Sequence, residues 1–191
     1  MVKPAPVDHQ IHPLLAERWS PRAFSPDPVP RDQLLQLFEA ARWAPSSYNE
    51  QPWRYIVATK DNSEHFEKVL SCLVEFNQQW ARQAPVLAIS IASKTFQKNG
   101  KPNRHALHDV GAASAMLSIQ ATALGLFVHQ MAGIDIEKIR QEFALNEDEE
   151  PVAGLAIGKA GDSETLPEKF REGESKPRTR KPLSEVVWFG V

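Results

Sequence analysis

Cysteine is almost missing from this chain: the 191 residues include one, Cys72. A lone thiol makes no internal disulfide, so a disulfide-stapled secreted scaffold and a cysteine-rich zinc module are both excluded. A reducing, cytoplasmic setting is expected. Neither sign of charge is in excess, because 22 Lys+Arg stand against 24 Asp+Glu for a net charge of −2. Nothing in that balance draws the molecule to nucleic acid or to a membrane surface. Met1 to Gln10 lack the apolar stretch a secretory signal needs. No internal repeat and no low-complexity block is visible, which removes solenoids and arrays. No G-x-G-x-x-G follows the first strand and no Walker A loop occurs, so a Rossmann site and a P-loop are unsupported. One uncharged run of 25 residues, Val110 to Ile134, is long enough by count to span a bilayer. Ser114, Ser118, Gln120, Thr122, His129 and Gln130 interrupt it and much of the rest is alanine and glycine, so it reads as a helix and a strand buried in protein.

What the chain does have is an alternating pattern. With 42% hydrophobic residues it can bury a core of ordinary size, and one domain over residues 1–191 is expected. Pro21, Pro26, Pro28 and Pro30 mark an irregular loop, after which Leu34, Leu35, Phe38 and Ala41 recur at helical spacing. Trp53 to Thr59 reads as a strand. Asp61 with Glu64 resembles a capping box for a helix whose apolar face holds Phe66, Val69, Leu70 and Leu73. Val86 to Ala92 suits a strand buried on both faces, and Arg104 to Leu124 a long helix ended by Gly125. Leu126 to Gln130 and Val152 to Ile157 add two strands, separated by a helix through Ile136, Ile139 and Phe143. The class is therefore mixed α/β, of the α+β kind. From Lys159 onward periodicity dissolves, so residues 159–191 read as an extended C-terminal arm.

That arm ends in Val186, Val187, Trp188 and Phe189, an apolar tip that soluble chains usually hide. The long helix carries Ala112, Ala113, Ala115, Ala121 and Ala123, whose small bulk lets another helix approach closely. Both features point to an interface between two copies, with burial inside one protomer as the alternative.

Three loop clusters are rich in polar chemistry. Arg18-Trp19-Ser20-Pro21-Arg22 places two guanidinium groups and a hydroxyl within five residues, which suits the oxygens of a phosphate. The segment from Pro45 to Trp53 offers hydroxyls and amides that both donate and accept, as a heterocycle edge requires. Arg178-Thr179-Arg180-Lys181 is again cationic. Each arginine alone reads as a solvated surface charge, and the serines as turn formers. Cys72 reads as core packing, and the spacing of His105, His108 and Asp109 is too common to indicate a metal. His129 reads as a satisfied histidine at a strand end.

Taken in order, R-x-S-x-R-x-F from Arg18, A-P-S-S-x-N-x-Q-P-W from Ala44, D-x-G-A-A from Asp109, A-L-G-L from Ala123 and R-x-R-K-P-L from Arg178 resemble the nitroreductase family of FMN-dependent oxidoreductases. The resemblance implies a three-layer sandwich with a central, mainly antiparallel sheet flanked by helices. It assigns Arg18, Ser20, Arg178 and Arg180 to the FMN phosphate and ribityl end and Arg22 to the ring. It implies that Pro45, Ser46, Ser47 and Asn49 come from a partner subunit with Gln51 close by, so that FMN sits in a homodimer interface. Asn77 resembles a family asparagine that meets the ring. Gln130, Met131, Ala132 and Gly133 fall where the family passes backbone amides along the flavin N5 edge, although this segment departs from the glycine-rich form.

The activity so implied is hydride transfer from NADH or NADPH through FMN to a small acceptor such as a nitroaromatic, quinone or activated alkene, with ping-pong kinetics. No side-chain nucleophile or base is required, since the cofactor carries the chemistry. Tyr48, Phe76 and Trp80 are candidate pocket walls, with core packing favoured for Phe76. The basic loop Ser93 to Arg104 is a candidate contact for the nicotinamide donor's phosphates. Two rivals remain: a flavoprotein with dehalogenating or flavin-processing chemistry, and a catalytically silent domain whose basic arm binds nucleic acid or protein.

Overall fold

Residues 3–190 are described by the computed structural model, and Met1, Val2 and Val191 lie outside the described residues. Four strands, β1 (Trp53–Thr59), β2 (Val86–Ser93), β3 (Phe127–Met131) and β4 (Glu149–Gly158), form one antiparallel sheet in the order β1-β2-β4-β3. Side chains alternate across β2. Leu87, Ile89 and Ile91 enter one core while Val86 and Ala88 enter the other, which is why this strand reads as a continuous apolar run. The layer on the first face comprises α3 (Ser63–Ser71), α4 (Glu75–Ala81), α6 (Ile136–Glu142) and α7 (Glu168–Ser175), and contributes Phe66, Leu70, Trp80, Ile139 and Phe170. The second face is covered by α2 (Arg31–Arg42) and α5 (Ala106–Ala123) through Leu37, Ala41, Ala113, Leu117 and Ala121. A short α1 (Pro13–Glu17) precedes the first basic cluster. Helices on both faces of an antiparallel sheet make the three-layer α+β sandwich that the resemblance implied.

Several local expectations are corrected. In α2 the buried positions are Leu34, Leu37 and Ala41, whereas Leu35 is exposed, because a face spaced at 3 and 4 residues passes through Leu37. Asn62, not Asp61, caps α3, its side chain accepting the His65 N–H at 3.2 Å. The helical region ahead of Pro85 is two helices. The chain leaves helical geometry at Leu73 because the Val74 N–H donates to Gly133 O at 3.1 Å and the Asp135 N–H to Cys72 O at 2.8 Å.

Pro151 lies inside β4 rather than before it. β3 pairs with β4 only over Gly154–Gly158, so Pro151 has no partner in that strand, and the β2–β4 register shifts beside it between Ser90 and Ile91, an irregularity that admits proline. The arm also contains α7, held by buried Leu166 and Phe170. Phe76 is half exposed and lies edge-on to Phe170 at 4.9 Å, so core packing does not describe it.

Gly161 fixes the path of the chain into the arm. A Cβ there would lie 2.5 Å from the Phe24 carbonyl carbon, so only glycine admits the approach of the two backbones. The Gly161 N–H donates to Ala23 O at 2.8 Å, and the Ser25 N–H to Lys159 O at 2.9 Å. This two-bond clasp holds the segment just after the first basic cluster against the start of the arm.

Candidate functional site

The clasp brings two distant cationic segments together. Arg18, Ser20 and Arg22 line one cleft of about 230 Å³ with Arg178 and Arg180, and Lys3 and Lys176 stand at its walls. Among the described residues, none of the four guanidinium groups has a carboxylate oxygen within 4.0 Å. Arg18 Nη1 donates to Ser20 Oγ at 3.3 Å, while Arg178 Nη1 donates to Lys3 O at 2.8 Å and Ala16 O at 2.6 Å. Burial, and then the like charges of Arg178 and Arg180, press the Arg18 pKa below its usual value. Burial and Arg180 do the same to Arg178. Such concentrated, unneutralised positive charge fits a dianionic phosphate, whose oxygens accept from several forked donors at once.

Arg22 stands deeper. Its guanidinium carbon is 5.9 Å from the ring centroids of both Trp80 and Phe170, and its Nε is a buried donor without a partner. The one acid at the cleft, Glu174, spends an oxygen on the Arg22 backbone N–H at 2.8 Å and so leaves the guanidinium free. A buried orphan donor and an uncompensated cation together ask for an acceptor from outside the chain.

His129 on β3 sets the backbone between these arginines. Its Nδ1 donates to Pro21 O at 2.8 Å, and its ring centroid is 4.5 Å from that of Trp80. Burial first, and then repulsion from Arg22 and Arg18 against the opposing bonds to Pro21 and Ser20, lowers its pKa to about 4. The imidazole is neutral at ordinary pH.

Asn77, one turn before Trp80 on α4, reaches the Gln130–Gly133 segment, its Nδ2 donating to Gly133 O at 3.0 Å. A Cβ at Gly133 would lie 2.5 Å from that Nδ2, so a larger residue there would push the Asn77 amide off this contact. Gln130 Nε2 points to α5, 3.3 Å from both Ser114 O and Ser118 Oγ, and the Met131 side chain is buried in the core. The Gln130 and Met131 side chains are thus committed to α5 and to the core, beside exposed Ala132.

Pro45, Ser46, Ser47, Asn49 and Gln51 do not join this group, and none lines the cleft. Their loop is tied instead to the start of α5, where the Ser47 N–H donates to Asp109 Oδ2 at 2.9 Å, and to Gln97, whose N–H donates to Glu50 Oε1 at 2.7 Å. Tyr48 is 92% exposed beside Phe96, and Trp80 is fully buried. In the basic loop, Lys94 pairs with Glu150 at 3.1 Å while Lys98 and Lys101 are exposed.

Sequence reasoning passed over Lys3, Trp19 and Glu174. Lys3 Nζ donates to Glu174 O at 2.6 Å and sits 5.3 Å from the Trp19 ring, a contact across 171 residues that no local pattern announces. A larger cavity of about 580 Å³ lies between the proline loop, α2 and β1, and it contains none of the candidate residues.

A nitroreductase family model matches residues 15–159 of the chain. A solved oxidoreductase containing FMN is 37% identical over 98% of this chain and 95% of its own, with a TM-score of 0.92. A nitroreductase family protein from Clostridium difficile 630 is 27% identical, covering 93% of this chain and 96% of that one at a TM-score of 0.71. An uncharacterized 15.4 kDa protein of Mycolicibacterium smegmatis is 32% identical over 143 residues, 72% of this chain and 95% of the relative.

Proposed function

This chain belongs to the nitroreductase family, and we propose from that premise that it is a homodimeric FMN-dependent oxidoreductase. NADH or NADPH supplies the hydride, and a nitroaromatic, quinone or activated alkene takes it up in a second half-reaction at the same cavity. The observation that carries the reading is the cleft in which Arg18, Ser20, Arg22, Arg178 and Arg180 converge with no carboxylate paired to any of their guanidinium groups.

Bound FMN supplies the two-electron redox chemistry, so the protein's task is placement and electrostatics. Arg18, Arg178 and Arg180 hold the phosphate through forked, charge-assisted hydrogen bonds, with the Ser20 hydroxyl beside them. Arg22, fixed between Trp80 and Phe170, offers its charge and its unpartnered Nε toward the ring end. Asn77 and the backbone of residues 130–133 meet the ring edge. The loop with Pro45, Ser46, Ser47, Asn49 and Gln51 comes from the second copy, which accords with its separation from the cleft in one protomer.

Pairing also answers for the surface. Trp188 and Phe189 are 86% and 85% exposed in one copy, and Leu107 and Met116 of α5 are exposed as well. The silent-domain rival fares worse, because Arg178 Nη1 ties the arm to Lys3 O and Ala16 O, so the basic segment is not a free tail. Buried Cys72 suits a cytoplasmic setting, and no helix among the described residues is long and apolar enough to cross a membrane.

The test is a visible spectrum of the purified protein before and after anaerobic NADH or NADPH, followed by addition of an acceptor. A yellow protein that bleaches and then regains its colour is expected. A colourless chain that stays colourless when offered FMN and runs as a monomer overturns the reading.

A further inference from the structure

Asp109, in the first turn of α5, keeps 4% of its side chain exposed, and nothing in the proposed chemistry uses it. A carboxylate so far from water must be matched by donors. Its Oδ1 meets His108 Nδ1 at 3.1 Å on the solvent side, and its Oδ2 accepts the Ser47 N–H at 2.9 Å across 62 residues.

Ser47 opens a segment that L residues avoid. Tyr48, Asn49 and Gln51 have φ of 54°, 56° and 52°, all left-handed and none glycine. Such backbone persists only where its surroundings over-determine it, and it gathers at ligand sites. The surroundings here are few: the Gln51 N–H donates to Ser46 Oγ at 3.0 Å, the Gln97 N–H to Glu50 Oε1 at 2.7 Å, and the Ser47 N–H to the buried carboxylate. The Asn49 N–H donates to Ser46 O at 3.0 Å and the Glu50 N–H to Ser47 O at 3.1 Å. Those four N–H groups are committed, while the Ser46 and Ser47 hydroxyls and the Asn49 amide can still donate to a ligand.

We propose that Asp109 is a positioning residue for the flavin site: by holding the Ser47 N–H it fixes the left-handed loop that offers Ser46, Ser47 and Asn49 to the cofactor of the second copy. The role rests on the flavin reading above. Asp109 itself touches no ligand. The loop is ordered during folding, so the ordering cost does not fall on cofactor binding.

The experiment compares wild type, Asp109→Ala and Asp109→Asn as purified dimers, reading the FMN dissociation constant by flavin fluorescence and amide exchange over residues 45–52 without cofactor. Asp109→Ala is expected to weaken FMN about tenfold or more, with faster exchange in 45–52 and unchanged exchange in β2 and β4. Asp109→Asn keeps an oxygen for the Ser47 N–H and is expected to stay within about threefold of wild type. Full FMN affinity in Asp109→Ala, with the loop either loosened or still protected, overturns the proposal while leaving the flavin reading intact. A wild-type chain that binds no FMN overturns both, and the exchange data then report separately on whether Asp109 holds the loop. Should Asp109→Ala not fold, Ser47→Pro against Ser47→Ala removes the same hydrogen bond from its other end. Equal FMN affinity in that pair overturns the proposal.

Discussion

At the scale of single residues, the claim that Arg18 binds a phosphate separates two flavins that differ only there. Arg18→Ala removes a charge-assisted donor worth about 1.5–3 kcal/mol, so FMN should bind about ten- to a hundredfold more weakly. Riboflavin, which has no phosphate, should bind the variant and the wild type alike by fluorescence titration. Equal loss for both ligands would mean that Arg18 shapes the fold rather than holding the phosphate. His129 makes a second claim, on stability. Its folded pKa of about 4 lies below the ordinary 6.5, so between those values the unfolded chain binds a proton that the folded chain refuses. Stability is then highest above about pH 6.5 and falls as pH drops toward 4, by up to about 1.4 kcal/mol per pH unit, with no further loss from this group below that. Urea titrations at pH 7.5 and 4.8 should show this slope in wild type and its reduction in His129→Gln. The arginines and the A-P-S-S-x-N loop were legible in sequence because they cluster within a few residues. Glu174 and Lys3 were not, nor was the contact of Asp109 with Ser47, since their partners lie 152, 171 and 62 residues away.

At the scale of elements, the site depends on how the chain after Arg22 is clasped to the chain after β4. Gly161→Ala would drive a methyl to within 2.5–2.7 Å of the Phe24 carbonyl and the Ser25 nitrogen, backbone atoms that cannot turn aside as a side chain would. A destabilisation of about 2–3 kcal/mol is expected, read as a lower urea midpoint. FMN affinity should fall with it, because the clasp brings Arg18 and Arg22 toward Arg178 and Arg180. Gly111→Ala, inside α5 with nothing within 4 Å of the added carbon in one protomer, should instead raise the urea midpoint, because alanine is favoured over glycine in a helix interior by about 0.5–1 kcal/mol. The strands and the long helix were readable from periodicity alone, since their patterns come from burial on one or two faces of the same sheet. Errors fell where a distant contact decides local geometry. Val74 and Asp135 split one expected helix in two by bonding to each other's segments, and Pro151 is admitted to β4 where β3 does not reach and the β2–β4 register shifts. The eight residues of α7 went unread for the same reason: Phe170 and Leu166 are buried by α4 and its neighbours, not by any repeat of their own.

At the scale of the whole molecule, one protomer presents two half-sites that do not meet, a cationic cleft fed from both ends of the chain and a left-handed loop anchored at the start of α5. If the proposed pairing completes each site with the partner's loop, the two halves belong to different chains, and defects in them should complement. Arg18→Ala disables the cleft and leaves the loop sound, whereas Asn49→Ala does the reverse. Each homodimer should then bind FMN weakly. A heterodimer purified through two different tags should contain one site carrying both defects and one carrying neither, and so bind about one FMN per two chains with wild-type affinity. Were the loop to serve the cleft of its own chain, every site in the heterodimer would carry one defect and no tight binding would return. The exposed tip of Val186, Trp188 and Phe189 gives the control, because removing residues 183–191 takes away apolar surface that a partner would cover. Loss of the dimer on sedimentation, together with loss of FMN at a cleft whose arginines are all still present, would place the binding energy across the pair and not within the chain.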